Sequence, residues 1–388
     1  MIDANYFLVL MHTILNLINI NPSKFGAVEE YALWLSYSLN KKNIGIVAFT
    51  YDPPKWIKKK YEDLGIAVCN VPYSVSSLKF FKNLRSIIKK YQVNILHVTF
   101  FPTYSLNLIL STLGTQCHLI HSDQCSRTSH TKSHIFEFVK YTRNKLFQKF
   151  IYTVIADAEF IRSCQIKDMH MSPVKIKVIY NGVNLNRFYQ ENDANTSPIL
   201  KEFDLPTNSK IIASIAQLIP EKGLNYLIEA AAYLVKRNSN LYFFLIGEGR
   251  QRDEFEVMVS QLGLQDNIIF TGLRSDTESF LAVADIFVLL SVWEEAFAFS
   301  LLEAMAAHCP VVASRTGAIP ESVIHGETGL LVPPRDGAAA AQAIQYLLDH
   351  NQEREQMGIA ARKRVEDHFS LERWVSETIQ LYEEILQN

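Results

Sequence analysis

Two doubly wound α/β domains are predicted for this chain, and three observations predict them. At 388 residues the chain exceeds what one hydrophobic core usually supports, so two domains are expected. An apolar fraction of 48% supplies material for two cores. From about Lys210 onward, strand-like and helix-like runs alternate, which implies a parallel sheet covered on both faces.

The first half shows the alternation less cleanly. Thr13–Ile20, Ile44–Phe49, Ile66–Val71, Ile95–Thr99, His118–His121 and Tyr152–Ala156 are strand-like. Between the first two, Val28, Ala32, Leu35 and Leu39 recur at helical spacing. The polar, Pro-bearing segment 189–209 reads as the region between the domains. Beyond it, Ile211–Ala216, Tyr242–Ile246, Ile268–Phe270, Asp285–Leu290, Pro310–Ala313 and Gly329–Val332 are short β-rich runs. Helices are expected at Leu224–Arg237, Arg252–Leu262 and Gly337–Leu348. This divides the chain into residues 1–188, residues 189–370 and a C-terminal helix over 371–388 that packs back on the first domain. Ligands of such sheets sit beyond the carboxyl ends of the strands, here in a cleft between the domains.

Composition narrows the function classes. Five scattered cysteines form no C-x-x-C pair, which fits a reducing, cytoplasmic setting and gives no zinc site. The apolar opening lacks a basic stretch and is broken by His12, Asn16 and Asn19, so it reads as a buried first strand rather than a signal peptide. No run reaches the length of a membrane-spanning helix. Residues 1–190 carry 23 Lys and Arg against 11 Asp and Glu, and residues 191–388 carry 15 against 29. The basic half suits an anionic acceptor or an anionic membrane surface; complementary charge between two domains is the other reading. No nucleic-acid partner is expected. Within 132–150, Lys140, Arg143, Lys145 and Lys149 stand beside Phe138, Val139, Leu146, Phe147 and Phe150. Such a helix lies on an anionic bilayer or turns its apolar face inward to the core.

The strongest chemical signal is EAFAFSLLEAM at 295–305. Glu295 and Glu303 are eight positions apart, about 12 Å along a helix. That exceeds the roughly 5–9.5 Å between the paired carboxylates of glycoside hydrolases. It suits two grips on an elongated ligand, with a helix N-terminus offering N–H groups to an anion between them.

These two glutamates match the E-x7-E motif of the family 4 glycosyltransferases, and other stretches resemble that family in order and spacing. VIYNGVNLNRF at 178–188 resembles its "NGVD…F" element, and ASIAQLIPEKG at 213–223 its "GRL…KG" loop. LIGEGR at 245–250 and RTGAIPESVIHGETGLLVPP at 315–334 resemble its "GDG" and "GGIPE…G.TGLLV" runs. In the first half, KFGAVEEYALWLSYSL at 24–39 resembles the "GGxE" loop-helix, and LIHSDQCS at 119–126 the strand-end histidine. The resemblance implies the GT-B fold and retaining transfer of a sugar from a nucleotide-diphosphate sugar, UDP foremost, to a saccharide or glycolipid hydroxyl. Surface polysaccharide or glycoconjugate synthesis is the implied setting.

By the same resemblance Glu303 holds the ribose, Glu295 the donor sugar, and Lys222 the diphosphate. Backbone N–H groups around Phe297, Ala298 and Phe299 face sugar and phosphate. Gly26 and Ala27 approach the diphosphate or acceptor; Gly272, Leu273 and Arg274 border the base. His121 contacts the donor sugar from the cleft wall, with Asp123 and Arg127 near the acceptor. The chain departs from the family pattern at Gln217, where an arginine is usual, and at Ala27, Ala296, Ala298 and Ala318, where glycine is common. A neutral amide cannot reproduce a bidentate guanidinium–phosphate contact, and each added Cβ restricts the backbone. No D-x-D and no metal-ligand spacing occurs, so neither metal nor cofactor is expected. Two rival readings share the architecture. One is a sugar-nucleotide epimerase; the other is a non-catalytic nucleotide-sugar-binding subunit.

Overall fold

The computed structural model describes residues 11–22, 25–39, 43–73, 78–124, 134–188 and 198–387. The first sheet contains β1 (Thr13–Ile18), β2 (Ile44–Phe49), β3 (Ala67–Asn70), β4 (Val93–Thr99), β5 (His118–Asp123), β6 (Thr153–Ala156) and β7 (Ile176–Val178). The second contains β8 (Lys210–Ile215), β9 (Leu241–Ile246), β10 (Ile268–Gly272), β11 (Ile286–Leu289), β12 (Val311–Ser314) and β13 (Gly329–Val332). Their orders are β3-β2-β1-β4-β5-β6-β7 and β10-β9-β8-β11-β12-β13, with every pairing parallel. Strands this apolar are buried on both faces because helices cover both sides. Strand order reverses between β1 and β4 in one sheet and between β8 and β11 in the other, and each reversal opens a crevice at the strands' carboxyl ends.

The sequence reading missed β7, whose three residues are too short for any periodicity to register. The C-terminal helix Leu371–Leu386 ends the chain but covers the first sheet. Trp374 stacks on Tyr31 of the helix Ala27–Leu39, with ring centroids 3.6 Å apart and planes 5° from parallel. Such a pair adds about 0.5–1.5 kcal/mol beyond area burial. Tyr31 Oη also donates to Thr378 Oγ1 at 2.8 Å. Deeper in, the rings of His97 and Tyr382 meet: His97 Nδ1 lies 2.6 Å from Tyr382 Oη, and Nε2 lies 2.6 Å from Ser122 Oγ. Tyr382 Oη also donates to Asn16 Oδ1 at 3.2 Å, so one hydroxyl of the last helix serves both Asn16 of β1 and His97 of β4.

Among the contacts that fix the domains against each other, two lie at helix starts. The helix Glu159–Lys167 of the first domain has no capping side chain of its own. Glu321 of the second domain supplies one: its carboxylate accepts from Glu159 N at 2.8 Å and Phe160 N at 2.7 Å, and from Tyr180 Oη at 2.9 Å. A carboxylate at a helix N-terminus satisfies orphan N–H groups and complements the helix dipole. The second contact is Phe299, the first residue of the helix Phe299–Ala306, which packs against Trp374 and the core of the first domain.

Candidate active site

The loops that follow β8 and β11 meet above the second crevice. Glycine makes the approach possible. Gly223 has φ +63°, and a Cβ there would stand 2.1 Å from the Leu290 carbonyl oxygen. With no Cβ, the loops pair through Val292 N and Glu221 O at 2.9 Å. A third loop presses in at Gly317, φ +54°, where a Cβ would lie 2.2 Å from Glu295 O. Ala318 N then donates to Glu295 O at 2.9 Å, fixing the backbone of Glu295 from below.

This geometry brings Lys222 and Glu295 together. Lys222 Nζ donates to Glu295 Oε1 at 2.6 Å and lies 5.4 Å from the Trp293 ring centre. The same Oε1 accepts from Ser291 Oγ at 2.5 Å and Trp293 Nε1 at 3.0 Å. Glu295 is buried, which alone would raise its pKa; the Lys222 charge and the three donors outweigh burial and hold it below the usual carboxylate range. Glu295 is therefore an anion at neutral pH, fixed by its neighbours. Lys222 is the one cation in that set.

Glu303 faces elsewhere. From the helix Phe299–Ala306 it lines a groove with Ala27, Glu30, Asn184 and Arg187 of the first domain. The two glutamates thus serve the crevice and the inter-domain groove, with the helix start at Phe299 between them. Gly26 and Ala27 open the facing helix of the first domain, where Gly26 N donates to Glu29 Oε2 at 3.0 Å.

Several residues sit differently from expectation. His121 lies within β5 rather than at its end, because the strand runs on to Asp123. Its ring is 1% exposed, and Nε2 lies 2.7 Å from Phe101 O, so it is roofed by the loop after β4 and does not form the cleft wall. Asp123 is buried too, its Oδ2 accepting from Gln165 Nε2 at 2.5 Å. Arg127 lies outside the described residues. Phe297 buries its ring between Tyr180 and Phe369, leaving only its backbone for a ligand. Phe299 likewise spends its ring on inter-domain packing, while its N–H begins the helix beside Ala298. Gly272, φ +71°, pairs with the Gly247 turn, and Leu273 beyond it is 70% exposed. Arg274 is committed to Glu202 at 2.6 and 2.9 Å and to Asp276 at 2.8 Å on two nitrogens. Gln217 is exposed at the start of the loop after β8. Ala296 and Ala318 are fully packed, so their methyl groups fill core rather than the crevice. Sequence reasoning missed Ser291 and Trp293 as holders of Glu295, and their spacing from it carries no signal that would have marked them.

Residues 196–364 match the family described as glycosyl transferases group 1. N-acetyl-alpha-D-glucosaminyl L-malate synthase of Bacillus anthracis is 32% identical over 214 residues, 55% of each chain. UDP-Gal:alpha-D-GlcNAc-diphosphoundecaprenol alpha-1,3-galactosyltransferase of Escherichia coli is 27% identical over 269 residues, 66% of this chain and 67% of its own. The chain spans about half the length of most of the curated relatives it matches. Among solved structures, a glycosyltransferase from Rickettsia africae ESF-5 superposes with a TM-score of 0.82 at 23% identity, covering 98% of this chain and 100% of its own. Anabaena Alr3699/HepE in complex with UDP superposes with a TM-score of 0.79 at 20% identity, covering 96% of this chain and 100% of its own. Both likenesses extend over the two domains, which have the GT-B architecture.

Proposed function

We propose that this chain, whose C-terminal domain belongs to the group 1 glycosyl transferases, moves a sugar from a nucleotide-diphosphate sugar to a hydroxyl of a saccharide or glycolipid acceptor with retention of configuration. The observation that carries the reading is the Lys222–Glu295 pair at the β8/β11 crevice, an ionised carboxylate beside a cation at the place where such sheets bind ligands. On this reading Glu295 holds donor-sugar hydroxyls and Glu303 the ribose. Lys222 and the N–H groups at the start of the helix Phe299–Ala306 receive the diphosphate charge as the glycosidic bond breaks. The acceptor hydroxyl attacks the anomeric carbon from the face the diphosphate leaves, and a diphosphate oxygen takes the hydroxyl proton. No metal is assigned a role. UDP is the leading nucleotide, supported by the UDP complexes of the Anabaena protein and the UDP-galactose donor in the name of the Escherichia coli relative.

The acceptor side is read from the first domain, with a cytoplasmic protein touching the inner face of a membrane. The helix His134–Phe147 and the turn after it invert the usual pattern: Asn144 and Gln148 are buried, while Val139 is 60% and Leu146 55% exposed. Asn144 Nδ2 donates to Met169 O at 3.0 Å and Gln148 Oε1 accepts from Ser172 N at 3.0 Å, so polar groups anchor the helix inward. The side chain of Phe138 lies outside those described. Exposed Val139, Tyr141, Leu146 and Phe150 among Lys140, Lys145 and Lys149 suit an anionic bilayer. Among the described residues no helix is long and apolar enough to cross one.

The test is transfer itself. UDP-, GDP- and ADP-sugars are incubated with the protein and a panel of saccharide and lipid-linked acceptors, and the anomeric configuration of the product is read by NMR. Retained configuration from one donor supports the reading. Inverted product, or an epimerised donor formed without acceptor, refutes it. Binding without turnover across the panel identifies a non-catalytic subunit.

A further inference from the structure

Arg187 stands where three elements converge. It follows the turn at Asn184 in the short helical turn Leu185–Phe188, between the two sheets. One terminal nitrogen lies 3.0 Å from Glu278 Oε2, on the helix Thr277–Val283 of the second domain. The other lies 3.6 Å from Glu30 Oε2, in the first turn of the helix Ala27–Leu39 of the first domain. Glu30 is itself held, because Asn184 Nδ2 donates to its Oε1 at 2.6 Å. Arg187, Glu30 and Glu303 line one groove. A planar guanidinium with donors on separate nitrogens bridges two carboxylates on different elements in a way an ammonium cannot.

The charge balance around that arginine is uneven: two carboxylates of the groove, Glu30 and Glu303, and Glu278 beside it act on one guanidinium. Burial by itself would lower the Arg187 pKa, but Glu303, then Glu278 and Glu30, outweigh it and raise it. The coupling is mutual. Without Arg187, Glu303 would share a partly desolvated groove with the Glu30 carboxylate, and both effects favour its protonation. A protonated carboxyl keeps fewer acceptor sites for a pair of ribose hydroxyls than a carboxylate does.

We propose that Arg187 is a positioning residue for nucleotide binding: from the same groove it keeps Glu303 an anion and, through Glu30, ties that setting to the first domain. The inference rests on reading Glu303 as the ribose grip.

The experiment is calorimetric titration of the full chain with UDP, and with GDP and ADP, between pH 5.5 and 8. The nucleotide that binds the wild type most tightly is carried forward. Arg187→Gln is expected to weaken it about tenfold, a loss of the size of one charge-assisted contact. It should also move the acid limb of binding to higher pH, which a mere loss of packing would not do. Arg187→Lys should restore the position of the acid limb but not the full affinity. Arg187→Gln/Glu303→Gln should bind no more weakly than Glu303→Gln alone, because the arginine acts through that carboxylate. If Arg187→Gln misfolds, Glu278→Gln, which releases one side of the guanidinium, should weaken binding about two- to threefold in the same direction. The proposal is overturned if Arg187→Gln, or Glu278→Gln in its place, binds as wild type while Glu303→Gln is weakened, or if the Arg187 and Glu303 losses simply add. If Glu303→Gln binds as wild type, the ribose reading itself fails and takes the inference with it.

Discussion

At their strand ends the two domains bring the chain close to itself by different means. In the C-terminal domain, loop backbones touch where a side chain is absent: a Cβ at Gly223, Gly247, Gly249 or Gly317 would fall 2.0–2.3 Å from a carbonyl oxygen of a neighbouring loop. In the N-terminal domain the equivalent loops are held by side chains. Asn19 Nδ2 donates to Phe100 O at 2.9 Å, Thr50 Oγ1 donates to Asn19 Oδ1 at 2.8 Å, and His121 meets Phe101 O. The first arrangement tolerates one residue type. The second can be built from many, so the C-terminal domain carries a spelled-out motif and the N-terminal domain does not.

The largest expected effect breaks the comparison at the level of chemistry. Glu295→Gln should lower turnover on the order of 10²–10³-fold, the range for losing one electrostatic contact in a preorganised site. Asp123→Asn, in the other domain and bonded to Gln165, should stay within about tenfold. Steady-state rates with a productive donor and acceptor check this, and equal mild losses would remove Glu295 from the reaction.

Next comes backbone packing. Gly223→Ala and Gly65→Ala both place a side chain at positive φ, +63° and +73°, but only Gly223 has a backbone atom within reach of the new Cβ. Gly65→Ala should cost about 1–2 kcal/mol from conformation alone. Gly223→Ala should cost about 3 kcal/mol or more, because a fixed carbonyl must move. Urea midpoints of the two variants separate conformational strain from steric conflict.

The domains should also differ in their response to acid. Burial, and after it the neighbouring His121, holds His97 down at about 3, so the folded state keeps it neutral. An unfolded histidine takes a proton near pH 6.5. The stability gained from neutral His97 is therefore whole above pH 6.5 and drains away as pH falls toward 3, by up to about 1.4 kcal/mol per unit. Glu295 responds later: its contribution is whole above the usual carboxylate pKa and drains away only as pH falls through that value toward the depressed folded one. Melting temperatures between pH 7 and 5 should fall in the wild type, and His97→Gln should flatten that slope whatever it does to the absolute value.

The smallest effect lies where the domains meet. Glu321→Ala removes the cap on the helix Glu159–Lys167 and should cost about 1 kcal/mol. A thermal midpoint unchanged by this substitution would show that the contact does not hold the two domains together.

What was readable in the sequence follows the same divide. The six strands of the C-terminal sheet come from apolar runs between glycine-bearing turns, and the periodicity found all six. Glu295, Glu303 and Lys222 were legible as types at fixed spacing, but their arrangement was not. Lys222 and Glu295 are 73 positions apart, and only the adjacency of β8 and β11 pairs them. His121 looked like a strand terminus because the next residues are polar, yet Ser122 and Asp123 continue β5 with their side chains bonded inside the sheet. The helix His134–Phe147 read as an ordinary amphipath, whereas its buried positions include Asn144 and its exposed ones Val139 and Leu146. Which way a helix faces depends on the partners its polar groups find, here the carbonyl of Met169 and the N–H of Ser172, and those partners are tertiary.

The measurement that tests the account most directly is a thermal shift of wild type, Lys222→Gln and Asp123→Asn against UDP-, GDP- and ADP-sugars. A ligand that binds only the folded state stabilises it by about 2.7 kcal/mol at a hundred times its Kd. One sugar nucleotide should raise the melting temperature of the wild type and of Asp123→Asn alike, and raise that of Lys222→Gln far less. A wild type that no sugar nucleotide stabilises, or a Lys222→Gln variant stabilised as fully as the wild type, would contradict a donor site at the β8/β11 crevice.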